Sequence, residues 1–372
     1  MSNFKSLVLR NNTGIDDLLP RQQDRDFLHR IYNSKPALLK GINTKSIVLI
    51  LTRIEDPEVD RVATMLIQSG YGYLRINAEQ LINEVTVSVS FDGGNVDGYV
   101  ESMGERVEIE NIAFIWRRHF HSDSFSLEGY SQVESYYIRD NWISLVNSLR
   151  SLPDVRWFND PESEDLATKP VQLMVAAQDN IDVPQTVITN SPVGVGKFLD
   201  RNSLAFVKAV HHHFVEYPRD ELNNAYGFLI DKHKKILDSE IAVVPTTFQR
   251  KISNASEIRV FYINGIFFCG RYHDIQNPDW HLDGVGDIEV VPTDLDTSIK
   301  SKLSGLMAKL GLNYGAIDLL ITDNKWYLLE VNQWGDWLWM QAKTGQKITE
   351  AVTQYIIDTG LKADSSLLSK TK

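Results

Sequence analysis

The chain has 372 residues, 43% of them hydrophobic and 23% charged, with a formal net charge of −11 and a single cysteine, Cys269. That is enough length and apolar content for two or three domains with cores of their own, and the balance is too acidic for the basic footprint of a general nucleic-acid binder. One cysteine rules out an intrachain disulfide, and apolar runs such as Ile47–Leu51 are far too short to cross a bilayer. With no apolar signal-peptide core at the N-terminus, the expectation is a soluble cytoplasmic protein whose partners include neither nucleic acid nor membrane.

Residues 1–42 read as a polar N-terminal extension, in which Phe27, Leu28, Ile31 and Tyr32 are spaced as a short helix docking on the body. Ser46–Thr52 reads as a continuous apolar strand. Asp56-Pro57 opens a helix with Val59, Val62, Ala63 and Leu66 at helical spacing, and Gly70 closes it. Tyr71–Ile76 and Val85–Phe91 are the next strands, the second ending in the turn Asp92-Gly93-Gly94-Asn95. Ile112–Trp116 is a buried strand that runs into Arg117-Arg118-His119, and Ile138, Trp142, Leu145 and Leu149 mark a long amphipathic helix. Strand, helix and strand with short loops over residues 43–154 imply a small α/β domain.

Asn159-Asp160-Pro161 reads as a turn, followed by a helix from Leu166 to Asp179, a strand Pro184–Thr189, a helix Pro192–Arg201 and a strand Leu204–Val210. Phe228–Ile230, Glu240–Val244 and Phe248 suggest antiparallel strands, which completes a central part over 155–253. In the last part, 254–372, Asn264-Gly265 between Ile258–Ile263 and Ile266–Arg271 is the strongest hairpin signal of the chain. Ile299, Leu303, Leu306 and Leu310 form a helical stripe stopped by Gly311, and Ser365–Lys372 reads as a frayed tail.

The stretch Leu312–Trp339 carries the chemistry. Ala316–Ile321 alternates, with Ile317, Leu319 and Ile321 on one face and Ala316, Asp318 and Leu320 on the other; in Trp326–Asn332, Tyr327, Leu329 and Val331 point one way and Glu330 and Asn332 the other. Residues two apart on a strand share a face, so Glu330 and Asn332 stand together. Two carboxylates and an amide oxygen suit Mg²⁺ held against phosphates, provided Asp318 faces the same way. A two-residue turn at Asp323-Asn324 would place Asp318 opposite Leu329, on the wrong side. An odd connection or a single bulge is required to bring it opposite Glu330. The alternative reading of these acids is a solvated sheet edge.

NYGAIDLLI followed by YLLEVNQWGDW resembles the metal-binding end of ATP-grasp ligases, and in detail is similar to the ATP-grasp maturases that close microviridin-type peptides, the graspetides. The likeness runs from about Ser46 to the C-terminus. It implies an α/β (α+β) chain with an ATP-grasp fold and an N-terminal pre-ATP-grasp α/β domain, and it implies ATP and Mg²⁺. By the same resemblance Asp318, Glu330 and Asn332 are metal ligands, and Lys169 and Lys208 contact the nucleotide. Phe248-Gln249, with Arg250, stands where an edge-strand backbone would read adenine. Glu257-Ile258-Arg259 looks like the family's acid-x-Arg strand, which makes Arg259 a phosphate or acyl-phosphate fork, with Arg271 on the returning strand as a second candidate.

One region departs from the family. Where many ATP-grasp proteins carry a glycine-rich loop over the phosphates, this chain has His211-His212-His213-Phe214 and then Arg219–Gly227, with Gly227 the only glycine. Three neighbouring histidines on a strand alternate faces, so they are expected to be a surface or substrate feature, not a metal site. Trp334, Trp337 and Trp339 are either core or a wall that keeps water from an acyl phosphate, and Asp336 is placed to hold the attacking group. The expected function is an ATP-dependent ligase that crosslinks side chains of a ribosomal precursor peptide, leader and core, by ester or amide bonds. A homodimer is compatible with the chain. A ligase for amino acids or other small molecules and a nucleotide- or peptide-binding pseudoenzyme are the rivals.

Overall fold

The run Ile47–Leu51, apolar at every position, becomes the centre of a parallel sheet. It lies in β1 (Asn43–Thr52), which is flanked by β2 (Tyr71–Asn77) and β6 (Ile112–Arg117). Burial on both faces explains why the sequence shows a run and not an alternation. Between β1 and β2 runs α1 (Pro57–Gln68), whose Val59 N–H is capped by the Asp56 carboxylate, with Pro57 at its start and Gly70 beyond its end at φ +85°. A separate antiparallel sheet follows: β3 (Val85–Asp92), β4 (Asn95–Ser102) and β5 (Glu105–Glu108). Gly93 and Gly94, both at positive φ, make its first turn. The computed structural model describes residues 10–11, 43–211, 214–216, 222–224, 226–233, 238–273, 288–323 and 325–361. The extension helix, His212, His213 and the tail Ser365–Lys372 lie outside the described residues.

After β6 comes α2 (Gln132–Ser148), opened by a capping box of Ser131 and Glu134. Its Trp142, Ile143 and Val146 lean half-buried on the first sheet. Then β7 (Arg156–Trp157) adds to β6 in parallel, so the first sheet continues past residue 154, with order β2-β1-β6-β7.

Asp160-Pro161 is not a free turn. It is the cap and first residue of α3 (Pro161–Leu166), and α4 (Lys169–Gln178) is a second helix. The continuous helix expected from Leu166 is broken at Ala167-Thr168, because Pro170 has no N–H to donate to the preceding turn. Next come β8 (Thr186–Thr189), α5 (Pro192–Arg201), β9 (Leu204–Lys208), β10 (Phe228–Asp231) and β11 (Thr246–Arg250), in a sheet of order β10-β9-β11-β8. Glu240–Val244 is not a strand: Asp238–Ile241 forms one helical turn, and Val243 and Val244 are exposed.

The last sheet has order β14-β13-β12-β15-β16, built from β12 (Ser256–Ile263), β13 (Ile266–His273), β14 (Glu289–Thr293), β15 (Tyr314–Ile321) and β16 (Trp326–Asn332). Asn264 and Gly265, both at positive φ, turn β12 into β13. One face, with Ile258, Val260, Ile317, Leu319, Leu328 and Val331, packs on α4 and on α6 (Thr297–Lys309). The other, with Phe261, Ile263 and Ala316, meets β1 and α1 through Trp337 and the closing helices α7 (Leu338–Thr344) and α8 (Ile348–Ile356). The first domain and the last sheet therefore share one core.

Candidate active site

Pairing in the last sheet sets the site. Near its turn the β15–β16 hairpin keeps the register of a two-residue connection, with Ile321 opposite Trp326 and Leu319 opposite Leu328; Thr322 N–H donates to Lys325 O at 2.8 Å. A bulge then sets Leu329 aside, and Asp318 stands opposite Glu330 and Ala316 opposite Asn332. Directly paired residues share a face, so the three oxygen-bearing side chains converge. The same bulge corrects one expectation: Tyr327 pairs with Leu320 on the site face, while Leu328, not Leu329, fills the apolar layer.

Arg259 pairs with Asp318 across β12 and β15, and its Nη1 donates to both carboxylate oxygens at 2.9 and 2.8 Å. Both residues are buried. Burial works against the charge on Arg259, but the Asp318 carboxylate more than compensates and raises its pKa. Lys169, the first residue of α4, and Lys208, the last of β9, both reach Glu330 Oε2, at 3.1 and 3.2 Å. Burial alone would push the Glu330 carboxyl up, but Lys208 and then Lys169 outweigh it and hold the acid well below its usual range. Five charged residues expected at a nucleotide–metal site thus meet in three ion pairs on the paired strands β15 and β16.

The edge strand β16 is fixed by a residue that sequence reasoning passed over. Gln172, one turn after Lys169, donates from Nε2 to Val331 O and accepts Val331 N–H at Oε1, both at 2.8 Å. Its side chain acts as a missing neighbouring strand, clamped between Glu330 and Asn332. A polar residue on the apolar face of a helix was the available signal. Asn332 Oδ1 accepts Trp334 N–H at 3.0 Å, which leaves that oxygen a second lone pair.

A second cluster abuts the first. Arg118, at the end of β6 and buried, donates from Nη1 to the carbonyls of Trp334 (2.8 Å) and Gly335 (3.3 Å), and pairs with Asp56 and Asp336. His119 Nε2 lies 3.2 Å from Asp336 Oδ1. Glu58 Oε1 accepts the backbone N–H groups of Trp337 and Leu338 at 3.0 and 3.2 Å. Burial, with Asp336 nearby, pushes the Glu58 carboxyl up to about 8. Trp337 is core, fully buried. A Cβ on Gly335 would fall 2.3 Å from Ala316 Cβ and 3.2 Å from Arg259 Nη2, so only glycine lets this loop close over the site.

Other expected residues do not converge. Arg271 pairs with Ile258, which puts it on the opposite face of the sheet from Arg259. The strand holding Phe248 and Gln249 is interior and not an edge: Gln249 lies between Phe206 and Thr186, and its side chain donates to Thr186 Oγ1 at 3.0 Å. Its backbone is therefore claimed by the sheet. Arg250 is exposed at the strand end, with its N–H on Gln185 O. Gly227 is a packing residue, since a Cβ there would strike the Phe206 ring. His211 is exposed.

The donor set fits Mg²⁺. It offers hard oxygens only, and fixed cations already balance the two carboxylates. Among the described residues no cluster of three or more His, Cys, Asp or Glu side chains competes for a metal, and no helix is long and apolar enough to cross a membrane.

Residues 47–165 match the family described as the MvdD pre-ATP grasp domain. No curated protein sequence matches the chain. Among solved structures, a RiPP-associated ATP-grasp ligase of Chryseobacterium gregarium, in complex with ADP and a leader and core peptide, is similar with a TM-score of 0.75 and 21% identity, over 85% of this chain and 97% of that one. The macrocyclase MdnC of Microcystis aeruginosa MRC, bound with precursor peptide MdnA, is similar with a TM-score of 0.72 and 19% identity, over 84% and 99%. The ATP-grasp ligase PsnB, complexed with minimal precursor, Mg and ADP, is similar with a TM-score of 0.63 and 16% identity, over 87% and 99%. Shared architecture over nearly the whole of each relative means that the chain has the ATP-grasp fold, with the pre-ATP grasp match at residues 47–165.

Proposed function

We propose that the chain is an ATP-dependent ligase that joins side chains of a ribosomally made precursor peptide by ester or amide bonds, releasing ADP and phosphate. One observation carries this reading: Lys169, Lys208 and Arg259, from three separate elements, meet Asp318 and Glu330 on one sheet face. The pre-ATP grasp match and the likeness to ligases described with ADP, Mg and precursor peptide support it.

Asp318, Glu330 and the Asn332 amide oxygen would hold Mg²⁺, which supplies charge neutralisation at the phosphates. Lys169 and Lys208 release Glu330 and take phosphate oxygens. Arg259 keeps its grip on Asp318 and presents the rest of its fork to the transferred phosphoryl group. The reaction class is phosphoryl transfer to a peptide carboxylate, then attack of a hydroxyl or amine on the acyl carbon, with loss of its proton and departure of phosphate. The residues contribute by positioning and by preorganised charge. Arg250 is the remaining candidate for the adenine end. Gln249 is engaged inside its sheet, and Arg271 faces away from the set. The proposed setting is the cytoplasm, the proposed partner is the leader and core of the precursor, and a homodimer is compatible with both.

Mass spectrometry of a short acidic peptide bearing Thr, Ser or Lys, incubated with the protein, ATP and Mg²⁺, tests the reading. Loss of one water per crosslink with ADP as the spent nucleotide is expected. AMP as the main product, or ATP left unconsumed with every such peptide, would overturn it.

A further inference from the structure

The buried Arg118 cluster belongs to no part of the nucleotide set, yet it touches that set from the other side. Arg118 comes from the first domain. Its partners Trp334, Gly335 and Asp336 lie more than two hundred residues further along the chain, in the loop that follows Asn332. In that loop Gln333 Nε2 donates to Ala167 O at 2.6 Å, Trp334 N–H donates to Asn332 Oδ1, and Gly335 lies against Ala316 and Arg259. Arg118 therefore grips the middle of the turn that orients the Asn332 amide and backs the Arg259 fork, at Trp334 O and Gly335 O. The guanidinium is itself locked: Asp56 takes its Nε at 3.2 Å, Thr52 Oγ1 donates to Asp56 at 2.8 Å, and the Trp337 ring lies beneath it, 5.1 Å from its carbon. Glu58 secures the far end of the loop through Trp337 and Leu338 N–H.

From this geometry we infer that Arg118 is a positioning residue for the metal: the pre-ATP-grasp domain sets metal affinity at the ATP-grasp site by clamping the turn after Asn332. Planar bidentate donation explains why an arginine is used. A lysine ammonium is a point charge and cannot hold two carbonyls and two carboxylates in one plane. His119 supports the outer end by its contact with Asp336, at the cost of a left-handed backbone, φ +51°. Groups that orient metal ligands from outside typically change metal affinity about 10–100-fold when removed. The effect should fall on the metal and not on the nucleotide's lysine contacts, because Lys169 and Lys208 stand on α4 and β9, which Arg118 does not touch.

This inference rests on the proposed nucleotide and metal site, and the test separates the two. Full-length protein is titrated with ADP in the presence of EDTA by calorimetry, and the ADP-loaded protein with Mn²⁺ by electron paramagnetic resonance. Failure of the wild-type protein to bind Mn²⁺ when loaded with ADP would overturn the metal site, and this inference with it. With a binding wild type, Arg118→Lys is expected to lose about tenfold or more in Mn²⁺ affinity while metal-free ADP affinity stays within about twofold. A folded Arg118→Lys protein with unchanged Mn²⁺ affinity would overturn the positioning role alone. So would parallel loss of ADP and Mn²⁺ binding, which is what general destabilisation gives. If Arg118→Lys does not fold, Asp336→Asn decides. It removes only the outer, half-exposed anchor, is expected to weaken Mn²⁺ about threefold or more on the same reasoning, and overturns the inference if Mn²⁺ binding is unchanged.

Discussion

Asp318 stands directly opposite Glu330 because Leu329 is set aside as the extra residue of a bulge. Without that step, the register set at the turn would oppose Asp318 to Leu329, and a one-residue slip exchanges faces. Deleting Leu329 should therefore keep Leu328 inside and Glu330 opposite Asp318, and leave metal-dependent ADP binding in place. Inserting one alanine between Leu329 and Glu330 should abolish it. Mn²⁺ titration of both ADP-loaded variants checks this; loss of binding in the deletion variant would contradict the facing argument.

Lys208→Ala removes one of two cations on Glu330 from the end of a strand. A hydrogen bond to a charged group contributes about 1.5–3 kcal/mol, so ATP affinity should fall roughly 10–100-fold. The melting temperature should hardly move, since Lys169 still balances Glu330. Calorimetry on the folded variant with unchanged ATP affinity would remove Lys208 from the site.

Arg259→Ala is expected to behave differently. It leaves Asp318 buried without its arginine, and breaking a buried pair from one side costs about 3–5 kcal/mol. Saturating Mg²⁺ and ADP should restore part of that stability, because a metal on Asp318 replaces the lost charge. Chemical denaturation with and without Mg²⁺-ADP measures both effects, and equal stability in the two conditions would argue against Asp318 as a ligand.

Glu58 supplies one source of pH dependence. Its carboxyl is pushed from an ordinary 4.5 up to about 8, by burial first and then by Asp336. Between those values the folded chain holds a proton that the unfolded chain has released, so this group's contribution to stability falls as pH rises through the window. Glu58→Gln keeps an oxygen to accept Trp337 N–H and has no proton to lose. Its melting temperature should match the wild type near pH 5 and exceed it increasingly toward pH 8. A difference that does not change with pH would refute the assignment.

The sequence revealed local order well and distant contacts poorly. Asn264-Gly265, Asp56-Pro57 and the limits of α5 could be read directly, because turn and cap chemistry act over a few residues. The site face could be read as a condition, an odd connection or a bulge, but not which of the two. Whether a strand is an edge or interior depends on pairing across the chain, so the sequence alone makes β11 look like an edge and Arg271 like a neighbour of Arg259. Arg118 and Gln172 carry no motif. Their roles arise from contacts more than 150 residues away, to which local propensity is blind.

The twin lysines on Glu330 make ligand entry an exchange of counter-ions. On the proposed site, Glu330 would hold Mg²⁺ while Lys169 and Lys208 would turn to phosphate oxygens, so that little uncompensated charge would be created. A nucleotide arriving without its metal must strip Glu330 of its partners and leave a buried anion behind. A metal arriving alone must displace two ammonium groups with nowhere to go. Each ligand would therefore bind more weakly by itself than in the other's presence, by the same factor in both directions. On the proposed site, a preference for the magnesium complex over free ADP or free metal would be built into a single acidic side chain.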